Sequence, residues 1–170
     1  MENKCCNEFI EEDDGKLANF MRVQNSDETF DFDFENDIYY DKEVRGFKNY
    51  GYIGLYKDKS VRAIGKICAR IIAFEKDNEL VFESEYGEIT DERKEKISEA
   101  IKDSVNHNGY DLKTIRHRYF FVDKFYGTDF KKESKGALQG AKKFDLSEYV
   151  GTEELPDTAE IANILNGKYW

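Results

Sequence analysis

The sequence is poor in the residues that most often mark metal sites, disulfide frameworks and disordered chains. Its 170 residues include one proline, three cysteines, two histidines and one tryptophan. A single proline and the lack of any low-complexity tract argue against a disordered or collagen-like chain. With only His107 and His117, and with no C-x-x-C spacing, we expect no metal ion and no cofactor. Two histidines also support no Ser-His-Asp or Cys-His arrangement, so no catalytic residue is assigned.

The chain also lacks a long apolar run. No segment approaches the roughly 20 apolar residues that a membrane-spanning helix needs. The first residues, MENKCCNEFIEEDD, are acidic where a secretory signal would be basic and then apolar. Cys5 and Cys6 are adjacent and cannot bridge each other without strain, and Cys68 stands alone in an apolar segment. These features predict a reduced, cytoplasmic protein that does not interact with a membrane.

Charge is distributed unevenly along the chain, although the net charge is −10. Residues 1–43 carry 14 acidic and 4 basic side chains, whereas residues 44–170 carry 22 of each. Residues 113–143 hold nine lysines and arginines against three acids. The acidic segment 1–43 is either a surface for a protein partner or a solvated edge, and the later basic segment suggests a polyanionic ligand.

Several segments show the patterns of β-strands. Phenylalanine alternates with acids in ETFDFDFENDIYY, residues 28–40, which predicts a strand with one buried and one wet face. YIGLYKDKSVRAIGKI, residues 52–67, predicts a β-hairpin with strands at 50–57 and 61–74, because β-branched residues outweigh the helical spacing of its second half. Residues 79–85 predict a further strand.

Helix signals occur at two later places. Residues 91–107 follow a capping Thr90 and precede Gly109, and an apolar stripe predicts the buried face of a helix. The members of that stripe are Ile97, Ala100, Ile101 and Val105. Residues 116–126 then return to a strand pattern, and residues 128–144 read as a loop-rich basic segment. A final helix is predicted in LPDTAEIANIL, where Asp157 and Glu160 have the spacing of a capping box.

This order of elements predicts an α+β fold in one domain. We expect a small, mostly antiparallel β-barrel or a strongly curved sheet, with one central helix and a C-terminal helix. Residues 28–150 would form this core. Residues 1–27 would be an acidic N-terminal extension, and residues 151–170 would carry the C-terminal helix.

Basic and aromatic residues interleave in the later part of the chain, a mixture that neutralises phosphates and stacks bases. Its loop KKESKGALQGAKK places lysines around two glycines, which allow close approach of a backbone. A solvated basic face over an ordinary aromatic core is the competing interpretation. The predicted nucleic-acid-binding residues are Arg116, Arg118, Tyr126, Lys131, Lys132, Lys135, Lys142 and Lys143.

The segment YIGLYKDKSVRAIGKICARIIAF, an acidic helix and RYFFVDKFYGTDFKKESKGALQGAKKFDL together resemble the PUA-like barrel group, which includes the EVE, ASCH and YTH families. The resemblance covers about residues 28–150. It implies a barrel that binds nucleic acid or a nucleotide without catalysis, in RNA metabolism or antiviral defence.

A second resemblance is to GIY-YIG endonucleases. IYY at 38–40, YIG at 52–54 and the later Arg62 resemble the signature of that family, which implies metal-dependent cleavage with the arginine on a helix. Three functions therefore stand side by side: a PUA-like binder of DNA or RNA, an acidic phage-type inhibitor that occupies a nucleic-acid-handling protein, and a nuclease.

Overall fold

The computed structural model describes residues 17–170, and the predictions for Cys5, Cys6 and the first acidic residues lie outside that range. The described chain is α+β, as predicted. Its strands are β1 (Phe20–Asn25), β2 (Ile38–Lys42), β3 (Tyr52–Lys57), β4 (Ser60–Lys76), β5 (Glu79–Tyr86), β6 (His117–Val122), β7 (Tyr126–Lys131) and β8 (Lys143–Asp145). Its helices are α1 (Phe30–Asn36), α2 (Asp91–Asn108), α3 (Leu146–Val150) and α4 (Thr158–Leu165).

The strands form one mixed sheet that is organised by the long strand β4. The order is β2-β6-β4-β3-β1-β8, and β5 and β7 also pair with β4. The first half of β4 pairs with β3 and β7, and the second half pairs with β5 and β6. β1 and β3 run parallel, whereas the other pairs are antiparallel. Within the described chain, the end strands β2 and β8 do not pair with each other, so the sheet is not closed into a barrel.

The predicted hairpin at residues 52–67 is confirmed by β3 and the start of β4. Asp58 and Lys59 connect the strands with φ angles of 50° and 58°, the left-handed pair that a two-residue type I′ turn requires. Arg62 consequently lies on a strand. Its guanidinium donates to Asp129 at 3.1 Å and to the carbonyl groups of the turn.

The prediction of a continuous strand over residues 28–40 is wrong. Residues 30–36 form helix α1, which ends at Asp37 with φ 53°, and only β2 is extended. The alternating phenylalanines are compatible with a helix because its two opposite faces pack against different hydrophobic clusters. Phe30 and Phe34 stack at 5.8 Å and pack on one core cluster, whereas Phe32 packs on another.

Helices α2 and α4 are confirmed by their caps. The Thr90 side chain accepts a hydrogen bond from the Arg93 N–H, and Asp157 accepts one from the Glu160 N–H. The expected burial of Val105 is wrong, since 44% of this residue is exposed. Ser104 lies on the buried side instead, because the polar residues of α1 and β2 face this turn of the helix.

The basic later part is more ordered than the sequence predicts. Residues 116–126 are not one strand, because residues 123–125 separate β6 from β7. The expected loop at residues 128–144 begins with strand β7 and ends with β8. Residues 20–25, within the expected N-terminal extension, form β1 between β3 and β8. No helix within residues 17–170 is both long and apolar enough to cross a membrane.

Candidate nucleic-acid interface

The predicted basic residues fall on two separate parts of the sheet. Arg118 lies opposite Ile72 in the second half of β4, whereas Lys131 lies opposite Ser60 at its beginning. Strand residues advance by about 3.3 Å each, so these two positions are about 40 Å apart along β4. The structure therefore does not bring the arginines and the lysines together in one site.

The two arginines belong to a network of ion pairs on the face of the sheet opposite α2. Arg118 binds Glu85 with two hydrogen bonds, from Nε at 2.6 Å and from the terminal nitrogen at 2.8 Å. Arg116 binds Glu43 and, at 2.5 Å, Glu83, and it lies 4.4 Å from the ring centroid of Phe74. Both guanidinium groups are thus already occupied by carboxylates.

The pKa values of the glutamate partners reflect the same ion pairs. Hydrogen bonding by Arg118 lowers the pKa of Glu85, and hydrogen bonding by Arg116 lowers the pKa of Glu83. The side chain of Arg118 is only 8% exposed. A phosphate could reach it only by displacing Glu85, so this arginine connects strands and is not part of an open anion site.

The lysines near β7 have different local roles. Lys131 lies 3.3 Å from a carboxylate oxygen of Asp129, whose pKa is lowered chiefly by the Ser60 hydroxyl and further by this lysine. Lys132 donates to the carbonyl of Ser134 at 2.8 Å and to its hydroxyl at 2.5 Å, which holds the start of the loop. Lys135, farther along the loop, is exposed.

Lys142 and Lys143 lie at the opposite end of the loop, where β8 begins. Lys143 is directly opposite Arg22, and the Lys142 carbonyl accepts from the Val23 N–H at 2.9 Å. Successive residues of a strand point to opposite faces. The two lysines therefore face different sides of the sheet edge, and the expected set of lysines does not form one continuous track.

Tyr126, the predicted stacking residue, is half-buried. Its ring packs against the core cluster that contains Phe130 and Ile161, and the Lys124 ammonium lies 5.7 Å from its centroid. This position favours a packing role, with one ring edge at the surface. It is not the exposed aromatic platform that stacking on a base requires.

An exposed aromatic residue does lie beside the lysines, although the sequence did not indicate it. Residues 167–170 add to the edge of β7: the Lys131 N–H donates to the Lys168 carbonyl, and the Trp170 N–H donates to the Lys131 carbonyl, both at 2.8 Å. Tyr169 between them is 59% exposed, and the Lys131 ammonium lies 5.6 Å from its ring centroid.

The turn between β3 and β4 adds another cation at the same place. The Lys132 N–H donates to the Lys59 carbonyl at 2.8 Å, which places Lys59 beside the end of β7. We define the β7-edge surface as Lys59, Lys131, Lys132, Lys168 and Tyr169. Because its members come from three distant parts of the chain, no local sequence pattern could have identified it.

The histidine and acid side chains of residues 17–170 do not form a catalytic or metal-binding cluster. His117 is buried, and its Nδ1 lies 3.0 Å from the Ile115 carbonyl. Across residues 17–170, no three His, Cys, Asp or Glu side chains are grouped so that they could hold a metal ion. In comparisons with known proteins, no family model, curated protein or solved structure matches the chain.

Proposed function

We propose that the protein is a non-enzymatic nucleic-acid or nucleotide-binding domain whose ligand backbone follows the β7-edge surface. The observation that carries this proposal is the exposed ring of Tyr169 with Lys131 beside it and Lys168 next to it in the chain. Cations neutralise phosphates, and an exposed ring stacks on an unpaired base. A single strand supplies both groups at adjacent positions, so it fits this surface better than a duplex.

The resemblance to the PUA-like group supports the same class of function. On this proposal, the hairpin of β3 and β4, which also pairs with β7, corresponds to the barrel wall of that group, although the sheet of this chain is open. The biological setting would be RNA metabolism, antiviral defence or counter-defence, in the cytoplasm.

The salt dependence of binding tests this proposal. A mixed set of single-stranded and duplex DNA and RNA is titrated at several salt concentrations with the full chain and with a variant carrying Lys59→Ala, Lys131→Ala and Lys168→Ala, three cations of the β7-edge surface. The plot of log affinity against log salt has a negative slope, and each lost phosphate contact should make it less steep by about 0.7 on a single strand. The variant should also bind all sequences more weakly by a similar factor.

A matched control removes three exposed lysines that lie away from the β7-edge surface: Lys48, Lys76 and Lys102. This control has the same net charge as the first variant, so a general effect of charge would change both equally. Equal affinities for the two variants, or no binding by the unmodified protein at low salt, would contradict the proposal.

An inhibitor that binds a nucleic-acid-handling protein is the second candidate. The observation that favours it is Val44, which is 88% exposed beside a cavity of 650 Å³ lined also by Lys42, Glu43, Ile115 and Arg116. Ile115 is also 41% exposed, so two exposed apolar side chains lie together among charged ones, as on a small protein-binding surface. If nucleic acid does not bind, capture of such a partner that is lost on Val44→Asp would support this function.

A further inference from the structure

Arg22 and Lys143 form a pair of cations at the edge of the sheet. They are register partners in the antiparallel ladder of β1 and β8, so their side chains share one face and their Cβ atoms are about 5 Å apart. Across the other ladder of β1, Arg22 lies beside the fully buried Ile53. Contact with this apolar neighbour explains why the arginine side chain is half-buried.

Arg22 differs from every other arginine in residues 17–170. Its guanidinium makes no hydrogen bond or ion pair with another described residue, and its Nε is buried without an acceptor. The others have partners: Arg45 with Asp41, Arg62 with Asp129, Arg70 with Asn49, Arg93 with the Glu88 carbonyl, Arg116 with Glu43 and Glu83, and Arg118 with Glu85.

A bound anion would stabilise this arrangement. A buried N–H of a cationic group loses its water and gains no acceptor, and a like charge directly opposite adds repulsion. The acid that follows on the same face, Asp145, accepts from the backbone and side chain of Ser147 as the cap of α3. It forms no ion pair with Arg22 or Lys143 in the described chain.

We infer that Arg22 and Lys143 form a binding subsite for one phosphate group. The guanidinium would donate through its planar fork and the ammonium would act as a point charge. Gln24, two residues along the same face of β1, would add amide donors beside them. The inference rests on the proposed function, which it deepens by assigning a defined phosphate position separate from the β7-edge surface. The phosphate could be the terminal monoester of a nucleotide or an internal diester of a strand.

The Nε–H signal of Arg22 in ¹⁵N NMR spectra of the full chain reports directly on this subsite. Three probes are titrated: adenosine 5′-monophosphate, a single-stranded oligonucleotide with a 5′-hydroxyl group, and adenosine as the phosphate-free control. We expect the signal to shift with a phosphate-bearing probe and not with adenosine. A response to the monophosphate alone identifies a terminal phosphate, and a response to the oligonucleotide identifies an internal one.

Variants separate a phosphate contact from a structural role. Arg22→Gln should weaken binding of the responding probe by about tenfold or more, and Arg22→Lys should restore part of the affinity. Arg45→Gln is the matched control, because this exposed arginine lies in the 3-10 turn that follows β2, away from the subsite. If Arg22→Gln does not fold, as judged by circular dichroism, Lys143→Gln tests the same subsite by losing affinity while the Arg22 signal remains observable.

The outcomes distinguish this inference from the function on which it rests. An unchanged Arg22 signal in the presence of a bound oligonucleotide overturns the subsite and leaves the proposed function standing. A shift caused by adenosine 5′-monophosphate, with no oligonucleotide bound, supports the subsite and contradicts strand binding. No response to any phosphate probe overturns the subsite.

Discussion

The Thr29 hydroxyl donates a 2.7 Å hydrogen bond to Oδ2 of Asp33, whereas Oδ1 of the same carboxyl group is buried and has no partner in the described chain. Asp33 is fully buried on α1. Burial raises its pKa well above the ordinary value of 3.8, and the charge of Asp103 raises it further. Within residues 17–170, the buried hydroxyl of Tyr119 on β6 is another oxygen without a partner, and burial raises the pKa of Tyr40, opposite it on β2, to about 12.

Replacing this carboxyl group by an amide should change how stability depends on pH. A folded pKa above the unfolded one means that the native state binds the proton more tightly, so Asp33 stabilises the fold at low pH and loses that effect as pH rises from 3.8 through the folded pKa. Asp33→Asn should therefore be more stable than the unmodified protein at pH 7, with a gain that falls towards pH 3.8. Urea unfolding at several pH values measures it, and Asp31→Asn, which is exposed, is the control. A gain that does not vary with pH would contradict the assignment.

The ion pair of Arg118 and Glu85 should contribute to stability rather than to ligand binding. Arg118→Ala removes a buried side chain and its two hydrogen bonds to the partly exposed Glu85, and should cost about 1–2 kcal/mol of unfolding free energy. The exposed pair of Arg45 and Asp41 should cost about 0–1 kcal/mol when Arg45 is replaced by Ala. Chemical unfolding compares the two variants.

The pH dependence of this pair has the opposite sign from that of Asp33. Because its folded pKa is lowered, Glu85 stabilises the fold above the ordinary value of 4.5 and loses that contribution as pH falls through the folded pKa. The Arg118→Ala variant should therefore lose less stability between pH 5 and pH 3 than the unmodified protein. A large loss of nucleic-acid affinity at unchanged stability would instead restore Arg118 as a ligand contact.

Tyr169 and Tyr126 should respond differently to replacement by alanine. Tyr169 is exposed beside Lys131, so its loss should weaken single-strand binding by about 1–3 kcal/mol with little change in salt dependence or melting temperature. Tyr126 packs against Phe130 and Ile161, so its loss should lower the melting temperature. Fluorescence titration and thermal unfolding of both variants measure these effects. A strong binding loss for Tyr126 at unchanged stability would reverse their roles.

The glycines of β4 and β7 provide a test of the fold. A Cβ on Gly65 would lie 2.7 Å from the Val122 Cβ, which holds β4 close to the end of β6. Gly65→Ala should cost about 1–3 kcal/mol because the backbone must move. Gly127→Ala is the matched control, since its nearest neighbour would be the Arg62 carbonyl at 4.0 Å. Equal unfolding midpoints for the two variants would show that this contact is not tight.

We also predict no cleavage of DNA or RNA with magnesium or manganese. Arg62 lies on a strand and binds Asp129, so it is not on the helix that the resemblance to GIY-YIG nucleases implies. Gel analysis of mixed substrates with each metal tests this prediction. Metal-dependent cutting that disappears in Arg62→Ala, but persists in Arg45→Ala, would favour the nuclease.

Local chemistry in the sequence determined several elements directly. The hairpin was predictable because its turn residues and β-branched strands act within a short segment, and α2 and α4 were predictable from their caps and apolar stripes. The prediction of a strand over residues 28–40 is wrong because alternating phenylalanines are compatible with a strand and equally with a helix that packs between two cores. The choice depends on which surfaces surround the segment, and those surfaces come from distant strands.

The candidate sites depended still more on the tertiary structure. Arg118 has a basic, aromatic neighbourhood in the sequence, yet its charge is taken by Glu85 from another strand. Lys59, Lys131 and Lys168 meet only because the C-terminal residues and a hairpin turn both pair at the end of β7. Arg22 and Lys143 become neighbours only through strand register. Sequence alone determined the number and sign of the charges, whereas the fold decided which were neutralised, because ion pairs form between residues that are close in space.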